Sequence, residues 1–263
     1  GFSFGRLRPA NDVVASTGQT ASGPVSFMKV FDAATEAIKQ GGMRRGANMG
    51  ILPVDHPDID EFITCKADMV TATNFNISVT ITEAFMKAVE AGTDYDLHNP
   101  RDRAVAGQRN AREVFTKMVD NAWKNGDPGI VFIDRVNATH PCPHISPVES
   151  TNPCGEQPLM PYESCNLGSL NLSKFVLPGA WGDDPASRID WSKLGKVIKL
   201  ATRFLDNVID MNEYIVPEIE VITKGARKIG LGVMGWADLL LQLGVPYNSE
   251  EGTRLGERVM AYI

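Results

Sequence analysis

The sequence has no apolar run approaching the ~18 residues that a membrane-crossing helix needs, so no membrane association is expected. Cysteine is scarce, with 4 in 263 residues, which excludes a disulfide-stapled secreted scaffold. There is no signal-peptide pattern either. The expected compartment is the reducing cytoplasm, where each cysteine must be a core residue, a ligand or a catalyst. Basic residues are not in excess: 26 Lys and Arg stand against 32 Asp and Glu, a net charge of −6. That argues against binding DNA or RNA polymers through the phosphate backbone, while leaving room for a local basic patch that holds one nucleotide. Linkers, internal repeats and low-complexity tracts are absent, so residues 1–263 read as a single piece. What is present is globular: 43% hydrophobic and 22% charged residues. The opening Gly1-Phe2-Ser3-Phe4 already alternates like the middle of a strand, and the end reads as a helix without a stop signal. Both lead to the expectation of an internal part of a longer polypeptide.

Strand-like and helical patterns alternate along the chain, which predicts an α/β protein with mostly parallel strands. Residues 11–23 read as a polar loop. Gly23 and Pro24 then fit the start of a helix, with Phe27, Val30, Phe31, Ala34 and Ile38 as its apolar stripe. Residues 47–54 and the alternating Ile77, Val79 and Ile81 read as strands, and Thr82 as a helix cap. Residues 92–109 are polar and read as a surface excursion, before a capping-box-like start at Asn110 and Glu113. Residues 135–163 are proline-rich and aperiodic, hence a long structured loop, a feature usually tied to function.

Several motifs carry chemistry. Gly230, Gly232 and Gly235 form a GxGxxG pattern between strand-like and helical stretches, read either as a dinucleotide fingerprint or as close strand–helix packing. No acidic residue follows about 20 positions on, as that fingerprint requires. His140, Cys142 and His144 alternate with prolines on what reads as an extended run, but lack zinc-site spacing, so no metal is expected. Arg44 and Arg45, set in a glycine-rich turn, suit either phosphate or nucleobase recognition or a solvated surface turn. The strongest signal is Asn152-Pro-Cys154-Gly-Glu156. Read as extended backbone, it puts an amide, a sulfur and a carboxylate on one face. Such a trio in a long loop is a fair catalytic cluster, without saying whether the sulfur is nucleophile, ligand or radical.

These stretches resemble one family. GFSFGRLRP, STGQTASGPVSF, GGMRRGANMGI, NPCGEQPLMPYESCNLGSLNLS, RFLDNVID and RKIGLGVMG occur in the order found in the large, catalytic subunit of ribonucleotide reductases. The chain is most similar to the adenosylcobalamin-dependent class II enzymes. The resemblance implies part of a ten-stranded α/β barrel with a catalytic finger loop. It also implies reduction of ribonucleotides to 2′-deoxyribonucleotides for DNA precursor synthesis, of the ribonucleoside-diphosphate reductase type with a disulfide as acceptor.

Residue by residue, the resemblance makes Cys154 the thiyl radical that removes the ribose 3′ hydrogen. Glu156 becomes the carboxylate that takes the 3′-hydroxyl proton, and Asn152 the amide that holds the ribose hydroxyls. Cys165 becomes one member of the reducing pair. Ser16, Thr17, Gly18, Gln19, Thr20, Ala21, Ser22 and Gly23 match the loop that joins the effector-binding specificity site to the substrate base. The implied cofactors are adenosylcobalamin and a dithiol reductant. The implied partners are a ribonucleoside di- or triphosphate, a deoxynucleotide effector, thioredoxin or glutaredoxin, and a second copy in a homodimer. In the family the other reducing cysteine lies upstream of the stretch matched by Gly1, and the phosphate loop beyond that matched by Ile263. The alternative is therefore a non-catalytic nucleotide-binding piece, or one half of a split reductase that needs a complementary chain.

Overall fold

The computed structural model describes residues 1–14, 16–38, 46–179 and 184–263. It forms two compact units, Gly1–Pro161 and Tyr162–Ile263. In the first unit the elements are β1 (Phe2–Ser3), β2 (Val13–Val14), β3 (Gln19–Thr20), α1 (Pro24–Ala37), β4 (Asn48–Pro53), α2 (Ile59–Thr64), β5 (Phe75–Ile81) and α3 (Glu83–Ala91). They continue with β6 (Asp94–His98), β7 (Val105–Asn110), α4 (Ala111–Asn125), β8 (Gly129–Phe132), α5 (Ile133–Ala138), β9 (Ser150–Thr151) and β10 (Pro158–Leu159). Its centre is a four-stranded sheet in the order β1-β4-β5-β8, parallel throughout. The sheet is open, and its strands do not close a barrel. Parallel strands covered on both faces need continuous apolar sequence. In β5 every residue except Asn76 is buried. Phe62, Phe75, Ile77 and Val79 are at most 1% exposed, and each contributes about 1.5–3 kcal/mol by leaving water.

Local chemistry sets the helix starts. Pro24 sits in the first turn of α1. Thr82 accepts from the Phe85 N–H at 3.2 Å, and Asn110 from the Glu113 N–H at 3.3 Å. Two expectations change. Residues 92–109 are more than a surface excursion: they contain the antiparallel β6–β7 pair, with Leu97 buried in the core and Tyr95 packed against it; two inward apolar side chains among charged neighbours leave little hydropathy trace. On α1, Pro24, Val25 and Met28 are the buried residues, while Phe27, Val30 and Phe31 are exposed. Periodicity finds an apolar stripe but not what covers it.

Asp60 ties α2 to β7 and α4 outside the core. It accepts from Arg109 Nε at 2.7 Å and pairs with Lys117. Burial raises its carboxyl pKa, and the bonds from Lys117 and Arg109 more than reverse this, leaving it below the usual carboxylate value. A depressed folded value means that the contribution is present above the unfolded pKa and is lost as pH falls through the folded one. Asp60→Asn should cost roughly 1 kcal/mol at neutral pH. In urea titrations its gap from wild type should narrow below about pH 4. A gap independent of pH would deny the ion pairs that role.

The second unit comprises β11 (Asn166–Asn171), α6 (Trp191–Met211), α7 (Pro217–Ala226), β12 (Ile229–Met234), α8 (Trp236–Leu243) and α9 (Glu250–Tyr262). β11 and β12 pair in parallel, from Asn166↔Ile229 to Asn171↔Met234. Leu170, Leu172, Leu194, Leu239 and Leu240 lie in its core. Gly230 and Gly232 lie inside β12, not in a loop after it. The GxGxxG pattern therefore belongs to strand and helix packing rather than to a phosphate loop.

Candidate active site

Residues 152–157 form the loop of a short hairpin, because β9 and β10 pair antiparallel with Thr151 opposite Pro158. The extended backbone expected from the alternating Asn, Cys and Glu is not what forms. The Gly155 N–H donates to Asn152 O at 3.0 Å, closing a β-turn over Asn152–Gly155. Asn first, Pro second and Gly fourth are the residues such a turn favours. Gly155 has φ +86, and nothing lies within 4 Å of the position a Cβ would take. Backbone conformation, not crowding, therefore selects glycine there. Asn152 closes the loop twice: its N–H donates to Gln157 O at 3.2 Å, and its Oδ1 accepts from the Gln157 N–H at 3.0 Å. These bonds use only the amide oxygen of its side chain, so the amide NH2 is left as a donor.

The hairpin is held at its base and at the second residue of its turn, while the side chains that follow are open. Asn76 Nδ2, on β5, donates to Pro153 O at 2.6 Å. Asn137, on α5, clasps Val148 on both sides, giving Nδ2 to its carbonyl at 3.1 Å and taking its N–H at 2.8 Å. Glu149 pairs with Arg6. Val148, Thr151 and Met160 are 2–3% exposed, whereas Cys154, Gly155 and Glu156 are exposed. A cavity of about 600 Å³ runs along the C-terminal ends of the parallel strands, at Ser3, Pro53 and Thr80, and reaches the hairpin root at Val148 and Glu149. Strand C-termini are where open α/β sheets take ligands. Sequence reasoning missed Asn76, Asn137 and this cavity. Their parts come from separate segments, and no local pattern marks them.

The other cysteines differ sharply. Cys65 is partly buried, and burial pushes its thiol up to about 12, so it is not a nucleophile at neutral pH. His140 is buried, with Nε2 3.1 Å from Ser146 O, and the Ile145 N–H donates to Cys142 O at 3.1 Å. Residues 140–146 thus form a turn, not the extended run expected. Among the described residues no group of three side chains could hold a metal ion. In the second unit Cys165 stands just before β11. Its Sγ donates to Asn166 O at 3.4 Å, and it lines a cavity of about 200 Å³ with Ser164, Asn212, Tyr214 and Thr223. The stretch 16–23 is the outer part of a β2–β3 hairpin rather than plain loop; Ser16 to Thr20 are exposed. Arg44 and Arg45 lie outside the described residues.

A family model described as "Ribonucleotide reductase, barrel domain" matches residues 1–263, the whole chain. The chain belongs to the ribonucleotide reductase family. Across its full length it is 52% identical to a vitamin B12-dependent ribonucleoside-diphosphate reductase of Thermoplasma acidophilum and 48% identical to one of Mycobacterium tuberculosis. Over 97% of its length it is 35% identical to a vitamin B12-dependent ribonucleotide reductase of Streptomyces coelicolor. It covers 34%, 37% and 28% of those proteins, so the chain spans about a third of the length of these relatives.

Proposed function

We propose that the protein to which this chain belongs reduces ribonucleoside diphosphates to 2′-deoxyribonucleoside diphosphates in the cytoplasm, and that residues 1–263 carry its hydrogen-abstracting loop. The observation that carries this reading is the Cys154 thiol, exposed at the tip of a hairpin whose base is anchored by Asn137 and Arg6 and whose turn is held at Pro153 by Asn76. A sulfur–hydrogen bond is close in strength to an activated ribose carbon–hydrogen bond. A thiyl radical at Cys154 can therefore take the 3′ hydrogen and later return it. Glu156, two residues on and also exposed, takes the 3′-hydroxyl proton as the general base. The Asn152 NH2 group orients the ribose hydroxyls. Cys165 gives one of two thiols whose oxidation to a disulfide supplies two electrons while the 2′-hydroxyl leaves as water.

Adenosylcobalamin is the cofactor this reading implies. The residues present fit it at one point: the Cys154–Gly155 turn is exposed, and the space around Gly155 is open, so a bulky group can approach the thiol. When bound, that cofactor supplies a carbon-centred radical able to accept a hydrogen atom. Cys154 is the residue that would face it. Thioredoxin or glutaredoxin would re-reduce the disulfide, a deoxynucleotide would bind at 16–23 as effector, and two copies would form the working dimer. The rest of the polypeptide would cover the open tip and keep water from the radical.

The test uses the full-length protein with adenosylcobalamin, a dithiol reductant and a ribonucleoside diphosphate. Deoxyribonucleotide formation is expected, and Glu156→Gln should lower kcat by about 10²–10⁴-fold with little change in KM. No product from the complete wild-type mixture would overturn the reading. Wild-type rates in Glu156→Gln would remove the carboxylate from the proton transfer.

A further inference from the structure

Asp58 stands at the N-terminal boundary of α2, where an aspartate ordinarily accepts from its own helix. Here it makes no such cap. Its Oδ2 accepts instead from the N–H of Ala10, 48 residues earlier, at 2.8 Å. His56, only 2% exposed, serves the same segment. Its Nδ1 accepts from the Asp58 N–H at 3.1 Å, which leaves the ring proton on Nε2 to donate to Leu7 O at 3.0 Å. On the other side Asn99, 9% exposed, donates from Nδ2 to Asp12 Oδ2 at 3.2 Å. The strand pairing continues from there, with Asn11 N–H to Ala21 O at 2.9 Å and Ala21 N–H to Asp12 O at 2.8 Å. Where the hairpin returns, Gly23 has φ +79, and a Cβ there would come within 2.7 Å of the same Asp58 oxygen. One carboxylate thus bonds the segment entering the hairpin and lies close beside Gly23, the cap residue from which α1 starts. The tip, Ser16 to Thr20, is exposed.

We propose that His56 and Asp58, with Asn99, form a latch at the root of this hairpin. The latch makes the tip and the start of α1 move together, so that an effector at the tip alters substrate choice. These are positioning residues, and the proposal rests on the reading of 16–23 as the effector loop. An effector changes substrate preference only through contacts that differ between two states of the connection, and a loosened root removes that difference.

The experiment uses the full-length holoenzyme, with dATP, dTTP and dGTP in turn as effector probes. It compares kcat/KM for a purine and a pyrimidine ribonucleoside diphosphate, and follows amide exchange. In Asp58→Ala the effector-induced change in the substrate ratio should shrink at least about fivefold, with effector-free turnover within about threefold of wild type. Exchange at Ala10 and Ala21 should rise while the β5 amides stay protected. Asp58→Asn keeps an acceptor for the Ala10 N–H and should retain most of the coupling, which a purely structural role would not require. Should Asp58→Ala fail to fold, Asp12→Ala removes the bond to Asn99 from the outer side and should reduce the coupling about twofold. Wild-type coupling in these alanine variants overturns the latch alone. Absence of any effector response in the wild type overturns the loop assignment, and the latch with it.

Discussion

Cys154→Ser in the complete enzyme should lower deoxyribonucleotide formation by at least about a thousandfold while leaving nucleotide affinity and melting temperature nearly unchanged. The serine hydroxyl has nearly the shape of the thiol, and the side chain is exposed. The bonds that build the turn run from the Gly155 N–H to Asn152 O, from Asn76 to Pro153 O, and between Asn152 and Gln157. None of them uses the cysteine sulfur, so the loop keeps its form in the variant. What changes is bond strength. An oxygen–hydrogen bond is too strong to yield a useful radical, so the 3′ hydrogen stays on the sugar and no later step can begin. The assay is product formation beside equilibrium binding of the diphosphate. Residual turnover above about a thousandth of wild type would deny Cys154 the radical role, because loss of a group that acts in the chemical step costs at least that much. A fall in melting temperature of many degrees would point to a structural thiol instead.

How much of this site was legible beforehand depends on which physical signal each part leaves. Local signals were readable. Pro24 after Gly23, Thr82 and Asn110 all sit at helix starts, and the apolar runs around Ile51 and Val79 are the buried parallel strands. Of the two-residue strands only β1 is readable, from the alternating Gly1-Phe2-Ser3-Phe4; β2, β3, β9 and β10 are too short to show a period. The finger loop shows the limit most clearly. Asn152, Cys154 and Glu156 drew notice by their spacing, but spacing two apart implies one face only on extended backbone. Here Pro153 and Gly155 reverse the chain, and the turn chemistry outweighs the alternation. Long-range anchors leave no local mark at all: Asn76 lies 77 residues from Pro153 and Asp58 lies 48 from Ala10. Such pairs become visible only once the parallel sheet has brought their segments side by side. That is also why the motif order pointed to the family while the residues that brace the motifs stayed hidden.

Cys165→Ala should abolish repeated turnover with a dithiol reductant, to below about a thousandth of wild type, yet preserve the first hydrogen transfer. Hydrogen abstraction needs the single sulfur of Cys154. Net reduction needs two further electrons, and with one thiol of the pair deleted no disulfide can form to supply them. The site tolerates the change: Cys165 is only partly buried, and its Sγ makes a 3.4 Å bond to the next residue's carbonyl. The neighbouring Ser164–Thr223 bond of 2.9 Å and the ladder from Asn166 to Asn171 do not involve it. Stability should therefore fall by no more than about 1 kcal/mol. The decisive measurement is paired: deoxynucleotide yield, and tritium released from substrate labelled at the 3′ position. Loss of yield with continued tritium release is the expected pattern, because it separates the reducing sulfur from the abstracting one. Loss of both would make Cys165 necessary to the abstraction itself. Normal repeated turnover would leave it as a wall of its small cavity, with the reducing electrons entering through other thiols.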